Sequence, residues 1–161
     1  MKFKILIAGG GQLGSRYLQG LSNYKDQLDI FIYDISDNSL EQCSKRWEES
    51  NPLSSNSATF LKSLFNIPQQ LDLVIVATTA NVRSSLVREI SSRFEVKHWI
   101  LEKILAQSIS QLDSLREQLE NHNSAWINTP MHIWPLYKLV KKNSKKQFPL
   151  KAEFSGFSGL L

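Results

Sequence analysis

The hydrophobic and polar positions of this chain alternate between two periods. Short, nearly continuous apolar runs, as in central parallel strands buried on both faces, are each followed by a segment whose apolar residues recur at helical spacing. Residues 2–8 read as a first strand, and residues 11–22 as a helix with Leu13, Tyr17, Leu18 and Leu21 on one face. Residues 28–33 read as a second strand, followed by a helix over residues 36–49 that Ser36 or Asp37 could cap, with Leu40, Cys43 and Trp47 inward. Residues 51–57, where Pro52 stands among serines and asparagines, read as loop. A short strand over 58–61 and a helical turn over 63–65 precede the clearest strand, residues 71–77. An amphipathic helix follows over 81–93, through Val82, Leu86, Val87 and Ile90. Then come a strand over 97–101, a helix over 108–120 carrying Ile109, Leu112, Leu115 and Leu119, and a strand over 125–128. Pro135 opens a helix over 135–142.

Strand alternating with helix at this period predicts an α/β fold, a doubly wound parallel sheet with helices on both faces. Residues 149–161 break the pattern, because Lys151, Glu153 and Ser155 alternate with Ala152 and Phe154 as an antiparallel strand would. In such a sheet ligands bind beyond the carboxyl ends of the strands. Those ends carry Gly9 to Gly11, Asp34, Thr78 to Asn81, Glu102 with Lys103, and Asn128 with Thr129. Five strands thus deliver small, hydrogen-bonding or charged residues to one edge.

The first of these ends is the most specific. Gly9, Gly11 and Gly14 fit the G-x-G-x-x-G spacing directly after an apolar strand, and Asp34 lies 20 residues beyond the last of them, at the end of the next strand. The first glycine permits the tight turn, the second lets a pyrophosphate approach bare backbone, and the third lets the helix pack on the strand. Asp34 would accept hydrogen bonds from a ribose diol, or else cap the helix that begins near Ser36. A carboxylate there would repel a 2′-phosphate and no arginine follows it, so NAD is expected over NADP.

Composition changes the picture little. Of the 161 residues 42% are hydrophobic and 21% charged, as in an ordinary globular domain. The net charge, 19 minus 15 or +4, is local, because Lys138, Lys141, Lys142, Lys145 and Lys146 cluster near one helix end. Such cations suit a helix C-terminus, and without interleaved aromatics they argue against a nucleic-acid partner. The lone Cys43 suits a reducing compartment. With no targeting segment and no apolar run of membrane length, a cytoplasmic location and no membrane partner are expected. No two histidines have metal-ligand spacing; His98 and His122 are read as surface residues and His132 as a loop or pocket-wall residue rather than a catalyst. Trp99 and Trp126 are read as core or sheet-face packing.

The glycine turn, the Ala77-Thr78-Thr79 strand end and the Glu102-Lys103 strand end resemble the Gfo/Idh/MocA oxidoreductases. The resemblance runs from Lys4 to about Gly159 and covers that family's N-terminal Rossmann cofactor domain and the entry to its second domain. It implies binding of NAD or NADP and oxidation or reduction of a carbinol on a sugar- or cyclitol-like substrate. It further implies that Gly9, Gly11, Gln12, Leu13 and Gly14 hold the pyrophosphate and Asp34 the adenosine ribose. Thr78, Thr79 and Asn81 would line the path to the nicotinamide, Glu102 would sit near its ribose, and Lys103 would reach the substrate hydroxyl as acid/base. Two positions depart from the family's pattern: Ile104 replaces the proline of Glu-Lys-Pro, and His132 stands where an arginine is frequent.

The expected organisation is therefore a dinucleotide-binding Rossmann domain over residues 1–148, with 149–161 as the first strand of a truncated α+β substrate domain. Two functions compete: a nicotinamide-dependent oxidoreductase, and a non-catalytic nucleotide-binding or regulatory module that lacks the substrate domain. An unpaired strand at 149–161 would be an exposed edge, and with the second-domain sheet missing, little or no homo-oligomer is expected.

Overall fold

The computed structural model of the chain describes residues 2–50, 52–53, 55–120, 124–129, 134–135 and 138. Six strands, β1 (Phe3–Ala8), β2 (Leu28–Tyr33), β3 (Ser57–Leu61), β4 (Gln70–Val76), β5 (Glu95–Glu102) and β6 (Ser124–Asn128), form one sheet. The order is β3-β2-β1-β4-β5-β6 and every pairing is parallel. Four helices connect them: α1 (Gln12–Leu21), α2 (Asp37–Glu49), α3 (Ala80–Arg93) and α4 (Ile109–Leu119). A 3-10 turn, Leu64–Asn66, precedes β4, and Ser63 caps it. Chain order runs outward from β1 to β3 and then restarts at β4 on the other side of β1. The crevice between β1 and β4 is thus the topological switch point, where α/β sheets bind ligands.

The two sides of the sheet carry separate cores. Ile5 and Ile7 of β1 pack with Leu18 of α1 and with Leu40 and Cys43 of α2. Their neighbours Leu6 and Ala8 point the other way, into a core with Val87 and Ile90 of α3, Trp99 of β5 and Leu115 of α4. This alternation is the period-two geometry of a strand covered on both faces. Cys43 is fully buried, and burial pushes its thiol up to about 11, so it serves as a small core residue. Asn56, inside the segment read as loop, is also buried: it donates to the Ser22 and Tyr24 carbonyls at 3.0 and 2.9 Å and accepts from Leu28 N–H at 3.0 Å.

Three helices sit differently from the periodicity reading. Leu13 is 41% exposed, and α1 buries Gly14 and Ser15 beside the expected Leu18, because Gly14 is the residue that touches β1. On α3, Val82 is 43% exposed and Arg83 is buried in its place. On α4, Ile109 and Leu112 lie exposed and Leu115 alone is fully covered, because this helix meets the sheet near its edge. Trp99 is core, whereas Trp126 on the edge strand is half exposed and tilts against His98, whose Nδ1 shares a 2.6 Å hydrogen bond with Ser124 Oγ.

The chain divides into two compact units, residues 1–128 and 129–161. In the second, Lys138 N–H donates to the Trp134 carbonyl at 3.2 Å. The rest of the helix expected over 135–142, the strand expected over 149–161, and His122 and His132 lie outside the described residues. Among the described residues no helix is long and apolar enough to cross a membrane.

Two glycines of α1 make opposite predictions. A Cβ at Gly14 would overlap the Gly9 carbonyl oxygen and lie 2.9 Å from its carbon, whereas one at Gly20 meets nothing within 4 Å. Gly14→Ala should therefore cost at least about 2 kcal/mol and lower the melting temperature by roughly 5–10 °C. Gly20→Ala should stabilise by about 0.5–1 kcal/mol, since alanine restricts the unfolded chain and favours the helix. Thermal and urea denaturation of the two variants check both signs.

Candidate functional site

The site begins at the turn from β1 into α1. Gly9 adopts φ +106°, a conformation that side chains disfavour, and a Cβ there would come within 3.1 Å of the Ala77 carbonyl carbon and Thr78 nitrogen. Gly9 N–H donates to the Tyr33 carbonyl at 2.8 Å, which fixes the turn against the end of β2. Gly11 is the N-cap of α1 and offers no side chain to it. A Cβ at Gly11 would meet nothing within 4 Å, so the space in front of the helix is open. The first intrahelical bond runs from Ser15 N–H to the Gly11 carbonyl at 3.0 Å. The N–H groups of Gln12, Leu13 and Gly14 therefore make no bond within the helix. With the positive end of the helix dipole behind them, they form a cradle suited to an anion.

Asp34 faces this cradle. Its Oδ2 accepts from Gly10 N–H at 2.7 Å and its Oδ1 from Ser36 N–H at 2.9 Å. Ser36, not Asp34, caps α2, through its hydroxyl and Ser39 N–H at 3.3 Å. The carboxylate is thus fixed at the glycine turn, and each of its oxygens keeps a lone pair for a further donor. A cleft of about 240 Å³ opens beside it, lined by Gly9, Asp34 and Thr78, by the apolar Ile35, Val82 and Leu86, and by Glu89. Tyr33, also in this cleft, holds its phenolic proton more tightly than usual, first through burial and then through the charges of Glu89 and Asp34.

The other half of the edge is built from β4, β5 and β6. Glu102, buried at the end of β5, accepts from the Tyr17 hydroxyl of α1 and from Asn128 Nδ2 at 2.7 Å. Asn128 also donates to the Tyr17 oxygen at 2.6 Å, which closes a three-membered polar cluster. Lys103 follows with its side chain exposed, and among the described residues it forms no ion pair. The Lys103–Ile104 peptide is cis. Thr79 is the N-cap of α3 and its hydroxyl donates to Asn81 Oδ1 rather than to the helix. Thr78 Oγ1 is buried without a partner among the described residues. No three His, Cys, Asp or Glu side chains among the described residues gather as a metal site would require.

The structure thus brings the glycine turn, Asp34 and Thr78 to one cleft, and Glu102 and Lys103 to the neighbouring strand end. Sequence reasoning missed Tyr17 as a partner of Glu102 and missed Arg83 altogether. By spacing Tyr17 falls on the apolar face of its helix, and one arginine among the polar residues of α3 carries no signal of burial.

Residues 3–128 match the family described as "Oxidoreductase family, NAD-binding Rossmann fold" (GFO_IDH_MocA). No curated protein matches the chain. Among solved structures, the myo-inositol dehydrogenase of Lactobacillus casei, in complex with NAD(H) and myo-inositol, aligns over 88% of this chain and 41% of its own, with TM-score 0.69 and 15% identity. A UDP-N-acetylglucosamine 3-dehydrogenase from Acidithiobacillus ferrooxidans aligns over 88% of this chain and 43% of its own (TM-score 0.65, 15% identity). A probable dehydrogenase from Thermotoga maritima aligns over 87% and 40% (TM-score 0.63, 18% identity). The chain spans about two-fifths of the length of these proteins, and at such identities the likeness is one of fold.

Burial, then the hydrogen bond and charge of Glu102, hold the Tyr17 proton well above the ordinary tyrosine range. The unfolded chain releases that proton at about pH 10, so the stabilisation is present below this pH and is lost as the pH rises beyond it. Tyr17→Phe should cost about 1–2 kcal/mol at neutral pH, through the donor lost to Glu102. It should also lose less stability than the parent between about pH 9.5 and about pH 11. Urea denaturation at both ends of that window measures the difference; equal losses would contradict the assignment.

Proposed function

Because the chain belongs to the Gfo/Idh/MocA oxidoreductase family through its NAD-binding Rossmann domain, we propose that it is the cofactor-binding part of an NAD-dependent dehydrogenase or reductase. The substrate would be a carbinol on a sugar- or cyclitol-like molecule, as the names of the inositol and aminosugar dehydrogenases of like fold suggest. The observation that carries this reading is the bond from Gly10 N–H to Asp34 Oδ2. It holds a carboxylate at the mouth of an uncapped helix start, where a ribose and a pyrophosphate would be neighbours.

The roles follow from position. The backbone of Gly9, Gly11, Gln12, Leu13 and Gly14 receives the pyrophosphate: Gly9 and Gly14 make the close turn, and Gly11 leaves the approach open. Asp34 accepts from the two ribose hydroxyls through its remaining lone pairs. The same charge opposes a 2′-phosphate, which favours NAD over NADP. Ile35, Val82 and Leu86 offer apolar faces to a flat base. Thr78, Thr79 and Asn81 line the way to β5, where Glu102 stands beside the nicotinamide ribose. When bound, the cofactor supplies the carbon that exchanges hydride with the carbinol. Lys103 hydrogen-bonds the substrate hydroxyl and takes or returns its proton. Its exposed side chain leaves it free to reach a substrate above the sheet edge.

Calorimetric titration with NAD tests the reading. The chain should bind NAD and prefer it to NADP. Asp34→Asn should weaken NAD binding by about tenfold or more and narrow the preference over NADP. Gly11→Ala should bind NAD at least about tenfold more weakly while its melting temperature falls by no more than about 4 °C. A parent chain that binds neither dinucleotide overturns the proposal.

A further inference from the structure

Arg83 lies in the first turns of α3, yet it is only 1% exposed. Two physical costs attach to that placement. A cation near a helix N-terminus opposes the helix dipole, and burial costs the charge a desolvation that the attraction of Glu102, which forms no ion pair with it, offsets only in part. Among the described residues Arg83 forms no salt bridge, and its Nε–H finds no acceptor. Its two terminal nitrogens instead hold main chain. Nη2 donates to the Thr78 carbonyl, and Nη1 donates to the Ile104 carbonyl and, at 3.1 Å, to that of Leu105. One planar fork therefore ties the turn after β4 to the turn after β5.

Those turns flank the residues assigned to the nicotinamide half of the site. Thr78 precedes Thr79, and Ile104 follows Lys103 directly. On the other side of Lys103, Glu102 is held by Tyr17 and Asn128. The main chain at Lys103 is thus anchored on both sides, by a carboxylate cluster before it and by the arginine fork after it. Thr78 also lies against Gly9, but the fork makes no bond to the glycine turn or to Asp34: Gly9 N–H is held by the Tyr33 carbonyl, and the Asp34 carboxylate by Gly10 and Ser36 N–H.

We propose that Arg83 is a positioning residue for the nicotinamide end of the site, fixing Thr78, Ile104 and Leu105 so that Lys103 and the start of α3 face one ligand. The inference rests on the nucleotide reading above. It predicts a split between two ligands: NADH, and ADP-ribose, which carries the adenosine and pyrophosphate but no nicotinamide.

Calorimetry of the parent chain should give tighter binding for NADH than for ADP-ribose. Arg83→Met, which keeps the length but not the donors, should weaken NADH by about tenfold or more and leave ADP-ribose within about twofold. Arg83→Lys keeps the charge but cannot bridge three carbonyls. It should lose at least about threefold for NADH alone, and it carries the test if the methionine variant does not fold. Equal weakening of both ligands, unchanged NADH binding, or a parent that binds the two equally overturns the role of Arg83. A parent that binds neither overturns the nucleotide reading instead.

Discussion

No atom fits between the start of α1 and the end of β1. At Gly14 even a methyl group would occupy the place of the Gly9 carbonyl oxygen, and this contact sets the position of the whole cradle. Because the helix is pressed onto the strand there, Leu13 rotates outward and Leu18 rotates into the core with Ile5 and Ile7. The helix start is left without a side-chain cap, and its first N–H groups without acceptors inside the helix. A fold that only needed a strand-to-helix connection would gain from a serine or aspartate at that cap. Its absence leaves the donors for something else.

The second constraint is that the two halves of the sheet supply different chemistry to one edge. On the β2 side a carboxylate is held by backbone donors and flanked by apolar walls. On the β5 side a buried carboxylate is held by side chains from α1 and β6, and an arginine binds carbonyls from two turns. The first arrangement is local and depends on residues close to the glycine turn. The second joins residues as distant in sequence as Tyr17 and Asn128. The same helix start thus serves both halves, through its backbone on one side and through Tyr17 on the other.

This difference explains what could be read from the chain. The glycine spacing, the strand before it and Asp34 at the end of the next strand are local signals, each tied to one backbone demand, and they disclosed the sheet edge. The parallel α/β architecture followed from the alternation of periods, with strand limits displaced by a few residues. Periodicity failed where a polar group had a long-range partner or a helix met only part of the sheet. Val82 and Arg83 exchange the roles their hydrophobicity implies, because the guanidinium finds three carbonyls inside and the valine walls a cleft. Ile109 and Leu112 fit an amphipathic pattern but reach beyond the cover that the edge of the sheet provides. The Tyr17–Glu102–Asn128 cluster has no sequence signature, since its members meet only once three elements are in place.

The central claim is that bare backbone at the start of α1 receives a diphosphate with Asp34 beside it. The most direct measurement is the amide nitrogen–proton spectrum of the isotopically labelled chain during titration with NAD. The account predicts that the largest shifts fall on Gly10, Gly11, Gln12, Leu13 and Asp34, with smaller ones on Thr78 and Thr79. Shifts that leave those amides in place and gather at the opposite edge of the sheet, around Tyr24 and Gln27, would contradict it.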